Sequence, residues 1–108
     1  MRSSRTKSSA HLFAALGDET RLRLVSRMCG AGPMSITRLT EGSKVTRQAV
    51  TKHLSVMERA GLVCSARQGR ERIWQLDQKR LEDARRYLDF VSKQWDTTLE
   101  RLRQFVED

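Results

Sequence analysis

Cysteine, proline and aromatic residues are scarce in this 108-residue chain, which has two cysteines, one proline and six aromatics. With so few aromatic rings there is no base-stacking platform of the single-strand-binding kind, so Trp74 and Trp95 read as core and interface anchors. Apolar residues make up only 38% of the chain and the mean hydropathy is −0.61. No apolar run approaches the ~20 residues a membrane helix needs. The N-terminus "MRSSRTKSSA" is basic and serine-rich and lacks the apolar core of a signal peptide. Residues 1–8 are therefore expected to form a disordered basic tail, and the protein to be cytoplasmic with reduced cysteines. There is no nucleophile–base–acid set, no glycine-rich phosphate loop and no paired carboxylates in a plausible pocket, so no enzymatic activity and no cofactor are expected. Asp18 and Glu19 read as helix-start residues.

What the chain does carry is positive charge, +8 overall with pI about 10.5. Its distribution is uneven. Residues 1–42 hold seven basic and three acidic groups, residues 43–72 seven and two, and residues 78–108 seven of each. A polyanion would meet the middle segment.

Residues 9–16, "SAHLFAAL", read as a short helix stopped by Gly17, and Asp18 as the N-cap of "ETRLRLVSRMC" with Leu22, Val25 and Met28 as its apolar stripe. Gly30, Gly32 and Pro33 break the chain. "SITRLTE" is a short helix candidate, followed by a turn at Gly42. In "VTRQAVTKHLSVMERAGLV", residues 45–63, helical spacing puts Val50, Leu54 and Met57 on one side, with Ala49 and His53 at its edge. Arg47, Gln48, Thr51, Lys52 and Ser55 fall on the other. Gly61 is the expected stop. "LVCSA" and "RIWQL" read as strands joined by "RQGRE", a hairpin turning at Gly69. From about Gln78 one long helix carries Leu81, Ala84, Leu88, Val91, Trp95, Leu99, Leu102 and Val106, widened by Tyr87, Phe90 and Phe105. That stripe is too long to be buried against so small a domain, so part of it is expected to pair with a second copy.

Short helix, turn, longer helix and strand–turn–strand is the order of a winged helix-turn-helix, mainly α with a small β-hairpin wing. Residues 9–77 are read as the DNA-binding unit and residues 78–108 as a dimerisation helix of the same domain. A helix fits the major groove of double-stranded DNA; arginine can pair bidentately with guanine and glutamine with adenine. Thr46, Arg47, Gln48, Thr51 and Lys52 are the expected contacts at the front of the reading helix, and Arg67, Arg70 and Arg72 those of the wing.

"FAALGDETRLRLVSRM", "VTRQAVTKHLSVMERAGLV" and "RQGRERIWQL" resemble the ArsR/SmtB family of bacterial transcriptional regulators over roughly residues 11–77. The resemblance implies a homodimer that represses from a palindromic operator and leaves it on sensing a signal. It also implies an interface formed by the first and last helices, here Leu12, Phe13, Leu88, Val91, Trp95, Leu99 and Leu102. Several family members bind metal through a Cys-x-Cys pair just before the reading helix; aligned through "SITRL", those positions fall on Ser35 and Thr37 here, and hydroxyls are poor ligands for soft metals. Others use histidine on the last helix, which has none here, so no metal site is expected. Cys29 and Cys64 read as small buried hydrophobes or, in the sharper reading, as a redox switch. His53 is expected to pack or meet backbone, and His11 to be solvated. Two rivals to the operator-bound repressor stand: a winged-helix protein–protein adaptor and a thiol-based redox-responsive repressor.

Overall fold

A computed structural model describes residues 2–107, with side-chain surroundings from Ser8 onward. Five helices and three strands follow in the order α1 (Arg2–Leu16), α2 (Glu19–Ala31), β1 (Met34–Ser35), α3 (Ile36–Thr40), α4 (Arg47–Arg59), β2 (Val63–Gln68), β3 (Glu71–Leu76) and α5 (Gln78–Glu107). The strands form one antiparallel sheet in the order β1-β3-β2.

The N-terminal segment departs from expectation. Helix α1 begins at Arg2, not at Ser9, so residues 2–8 are helical. No glycine or proline interrupts them. Once the later turns are seated through Leu12 and Ala15, each added residue gains a backbone hydrogen bond without a new nucleation step. Met1 lies outside the described residues.

The remaining starts and stops follow local chemistry. Asp18 caps α2 by accepting from Arg21 N at 3.0 Å. Helix α2 runs through Gly30 and ends at Gly32, whose φ of 82° turns the chain. The stripe facing the core is Leu24 and Met28, with Val25 beside it. Leu22, expected in that stripe, is exposed because it lies on the far side of the helix from Leu24. Ser35 caps α3 through Arg38 N.

Strand β1 was not anticipated. Two residues carry no periodicity, and only the pairing of Met34 with Trp74 and Ser35 with Ile73 makes them a strand. The hairpin is tighter than the sequence suggests. Arg67 and Gln68 continue β2, leaving Gly69 and Arg70 as the turn, with Gly69 at φ 63°.

The core lies where α1, α2, α3 and α4 meet the sheet. Leu12, Leu39, Val50, Leu54, Met57 and Leu62 are its most enclosed large side chains, with Trp74 closing the sheet side. Helix α5 joins this core mainly through Ala84 and the half-buried Leu81. Thirty residues at about 1.5 Å each make it roughly 45 Å long, so most of it projects past the core, and the longest dimension of the molecule reaches 65 Å.

Candidate nucleic-acid interface

Helix α4 is anchored at both ends and along its back. Thr46 is its N-cap, accepting from Ala49 N at 3.1 Å. Val45, half-buried before the cap, and Val50 occupy the positions of a hydrophobic staple, which sets the angle at which the chain enters the helix. The preceding turn is tied from α2: Arg27 Nη1 donates to Leu39 O and Glu41 O, both at 2.9 Å. Val50, Leu54 and Met57 are buried. At the far end Leu62 N donates to Met57 O and Gly61 N to Glu58 O, the paired bonds of a Schellman closure, with Gly61 at φ 78°.

With its back fixed in this way, α4 turns Arg47, Gln48, Thr51 and Lys52 to solvent. Ser55, expected on the same face, is half-buried. Thr46 is exposed but its hydroxyl is occupied by capping, and Thr51 Oγ1 donates to Arg47 O at 2.9 Å. Thr51 therefore offers a methyl group and lone pairs rather than its proton. Among the described residues, no carboxylate forms an ion pair with Arg47 or Lys52.

The inner flank of α4 is held by the α1–α2 turn. Arg21 donates to Ala15 O and, at 3.4 Å, to Ala14 O, and its Nη1 lies 3.3 Å from His53 Nδ1. Asp18 Oδ2 is 3.7 Å from the same ring nitrogen. His53 thus meets side chains rather than backbone. The Arg21 N–H bond holds the Asp18 carboxyl below its ordinary range, helped by the charges of His53 and Arg21 and opposed by partial burial.

The wing presents Arg67, Arg70 and Arg72, all exposed. Arg67 and Arg72 sit directly opposite one another in the β2–β3 register. Like charges in that position repel. Arg72 is steadied by donating to Ser65 Oγ at 2.8 Å, and Arg70 stands at the tip. An anion lying along this hairpin would relieve the repulsion.

Known proteins share this arrangement. A helix-turn-helix domain family matches residues 16–64. The HTH-type transcriptional regulator Rv2034 of Mycobacterium tuberculosis is 34% identical over 101 residues, covering 94% of this chain and 91% of that protein. An ArsR-like transcriptional regulator from Rhodococcus sp. RHA1 superposes with a TM-score of 0.75 at 33% identity, covering 93% of each chain. The chain belongs to the ArsR family of transcriptional regulators. The homodimeric winged helix-turn-helix DNA-binding domain of Mb0332 from Mycobacterium bovis shares the fold, with a TM-score of 0.69 at 19% identity over 93% of this chain and 89% of that one.

As an ArsR-family regulator, the protein carries a DNA-binding winged helix-turn-helix in which α3 and α4 are the helix pair and β2–β3 the wing. Its remaining sequence-predicted residues fall into two groups. Leu88, Trp95, Leu99 and Leu102 form an exposed apolar stripe on α5, continued by Phe105 and Val106, while Val91 is half-buried. Leu12 does not belong with them. It is 0% exposed, because α1 turns it inward with Ala15. Phe13 is half-buried and packs on Tyr87 of α5, with ring centroids 5.5 Å apart.

Neither cysteine is a buried hydrophobe. Both thiols are exposed. Cys29 follows the buried Met28 and is rotated off the core face of α2. Cys64 follows the buried Val63 and takes the outer face of the alternating strand, where Gln75 Nε2 lies 3.5 Å from its sulfur. At the family's Cys-x-Cys positions stand Ser35, buried and occupied in capping α3, and Thr37, exposed.

Sequence reasoning missed Arg27 and Arg21, which hold α4 without touching its outer face. A signal was present in the spacing: Arg21 and Arg27 stand three residues before and after the buried Leu24, on its side of α2, and both are half-buried where Arg23 is exposed.

Proposed function

We propose that this ArsR-family protein is a homodimeric repressor that reads a palindromic operator with α4 and steadies it with the wing. The observation that carries this reading is the orientation of α4, with Val50, Leu54 and Met57 buried and Arg47, Gln48, Thr51 and Lys52 open on the opposite face. The first turn of α4 lies nearest the base edges when its N-terminus enters the major groove, so Arg47 and Gln48 are assigned to bases. Thr51 and Lys52 follow one turn later, at a phosphate or a base edge. Arg67, Arg70 and Arg72 contact the backbone or the adjacent minor groove. The apolar stripe of α5 supports pairing with a second copy, which would place two α4 helices about 34–36 Å apart, one turn of DNA. The hydroxyl residues at positions 35 and 37 support regulation without the family's cysteine metal site.

Selection of bound fragments from genomic DNA, followed by gel shift on the DNA upstream of the protein's own coding region, tests this. Arg47→Ala or Gln48→Ala should cost about 1–3 kcal/mol on the selected site and relax base preference. Arg70→Ala should weaken binding to all sequences and flatten the salt dependence. Equal losses on selected and random duplex for every variant would remove the base-reading assignment. Binding no tighter than to random DNA across salt would point to a protein–protein adaptor.

The exposure of Cys29 and Cys64 favours one variant of this reading, a repressor released by thiol oxidation. Oxidant should then release DNA from the wild type and not from Cys29→Ser. A Cys29→Ser protein that still responds ends it.

A further inference from the structure

The start of α5 is bonded to the residues that close α4. Asp77 N donates to Leu62 O at 2.8 Å, and Asp77 Oδ1 caps α5 by accepting from Arg80 N at 3.1 Å. Arg80 then reaches across three elements. Its Nε donates to Ala60 O at 3.0 Å, its Nη2 donates to Ser8 O of α1 at 2.8 Å, and its Nη1 lies 3.5 Å from Asp83 Oδ2. The side chain is only 19% exposed.

Ala60 is the C-cap of α4, so its carbonyl belongs to the negative end of that helix, where a cation is favoured. The Arg80 stem lies over Gly61. A Cβ at Gly61 would meet Arg80 Nε at 3.4 Å and Cδ at 3.5 Å. The guanidinium is planar, with its donors at fixed angles. Helix α4 therefore cannot shift against α1 and α5 without losing one of the two backbone bonds. The two bonds leave from different nitrogens of that plane, Nε and Nη2, whereas a lysine puts all its donors on one freely rotating nitrogen and lacks the fixed fork that spans the two carbonyls.

We propose that Arg80 is a positioning residue that transmits the seating of α5 to the angle of α4, and so sets the half-site spacing at which two reading helices land on DNA. This rests on the proposed palindrome-bound homodimer. Arg80 stands at the opposite end of α4 from Arg47 and Gln48, so it acts through the helix rather than by touching DNA. Its loss leaves α4 closed by its Schellman bonds and seated on Leu54 and Met57. What is released is the angle between α4 and the dimer helix.

The test uses the full-length chain, the palindromic duplex it selects from random DNA, and versions of that duplex with one base pair added or removed between the halves. The wild type should bind the altered spacings about tenfold or more weakly, because one base pair rotates and shifts the second half-site out of register. Arg80→Ala should bind the selected duplex about tenfold more weakly than the wild type, its preference among spacings should collapse toward parity, and its salt slope should be unchanged. Arg80→Lys keeps the charge and should show the same loss of spacing preference. It also decides the matter if circular dichroism finds Arg80→Ala unfolded. Wild-type spacing ratios in a folded variant would overturn the proposal. A salt slope reduced by about one would overturn it too, since Arg80 would then be a phosphate contact. A wild type that selects no palindrome would remove the functional reading and this inference together, whereas a spacing-selective wild type with unaltered variants removes only this inference.

Discussion

If α5 pairs two copies as proposed, truncating Trp95 should separate them without unfolding the protomer. A tryptophan side chain covers roughly 150–250 Å², and Trp95 is 61% exposed, so about 120 Å² remains for a second copy to cover. At about 25 cal/mol/Å² this is about 3 kcal/mol per protomer. A two-fold interface uses the residue twice, so Trp95→Ala should cost up to about 6 kcal/mol, or about four decades in the dimer dissociation constant. Sedimentation equilibrium on both proteins measures that constant directly, and far-UV circular dichroism reports whether α5 remains helical. DNA affinity should fall along with dimerisation, since a single protomer offers only one reading helix. A folded Trp95→Ala protein with the wild-type dissociation constant would refute the reasoning: the α5 stripe would not be the interface, and its exposure would need another partner.

Three further outcomes follow from the fold. Leu54→Ala removes a fully enclosed side chain on the back of α4 and should cost about 2–5 kcal/mol by urea unfolding; a loss below about 1 kcal/mol would mean that α4 is not seated as described. Gly61→Ala forces an alanine to φ 78° and brings its Cβ against Arg80, so it should destabilise by about 1–2 kcal/mol from backbone strain alone, whereas a neutral effect would question the helix stop. The Asp18 carboxyl is held below its ordinary range by the Arg21 N–H. Its contribution is therefore present above the unfolded value and is lost as pH falls through the folded one. Asp18→Ala should melt lower than wild type at neutral pH, and the two curves should converge in acid; a constant gap down to the acid limit would show that the charge is not what matters.

Much of this was legible from spacing. Gly17, Gly42 and Gly61 marked real ends or turns, Asp18 the α2 cap, and the 50–54–57 stripe the buried back of α4. The misses share a physical cause. Leu12 and Leu22 are both leucines on amphipathic helices, yet one is enclosed and the other open, because exposure depends on which neighbour arrives over each face. Cys29 and Cys64 each adjoin a buried residue, and a rotation of about 100° on a helix or of one step on a strand moved them outward. Strand β1 is too short to carry a pattern of its own. Residues 2–8 read as polar and unstructured in isolation, and became helical as the continuation of a helix already packed.

Local sequence therefore determined α2, α3, α4, α5 and the β2–β3 hairpin and most of their buried faces, since capping, glycine conformation and apolar period act within a turn or two. It also placed the cationic and amide groups at the front of α4, because the buried stripe leaves them one direction to face. Only the tertiary structure decided what holds that helix at its angle. Arg27 closing the preceding turn, Arg21 and Asp18 against His53, and Arg80 bridging Ala60 and Ser8 are contacts between residues far apart in the chain. Such contacts leave no periodic trace of their own, because each depends on the directions in which separate helices bring their side chains and carbonyls together.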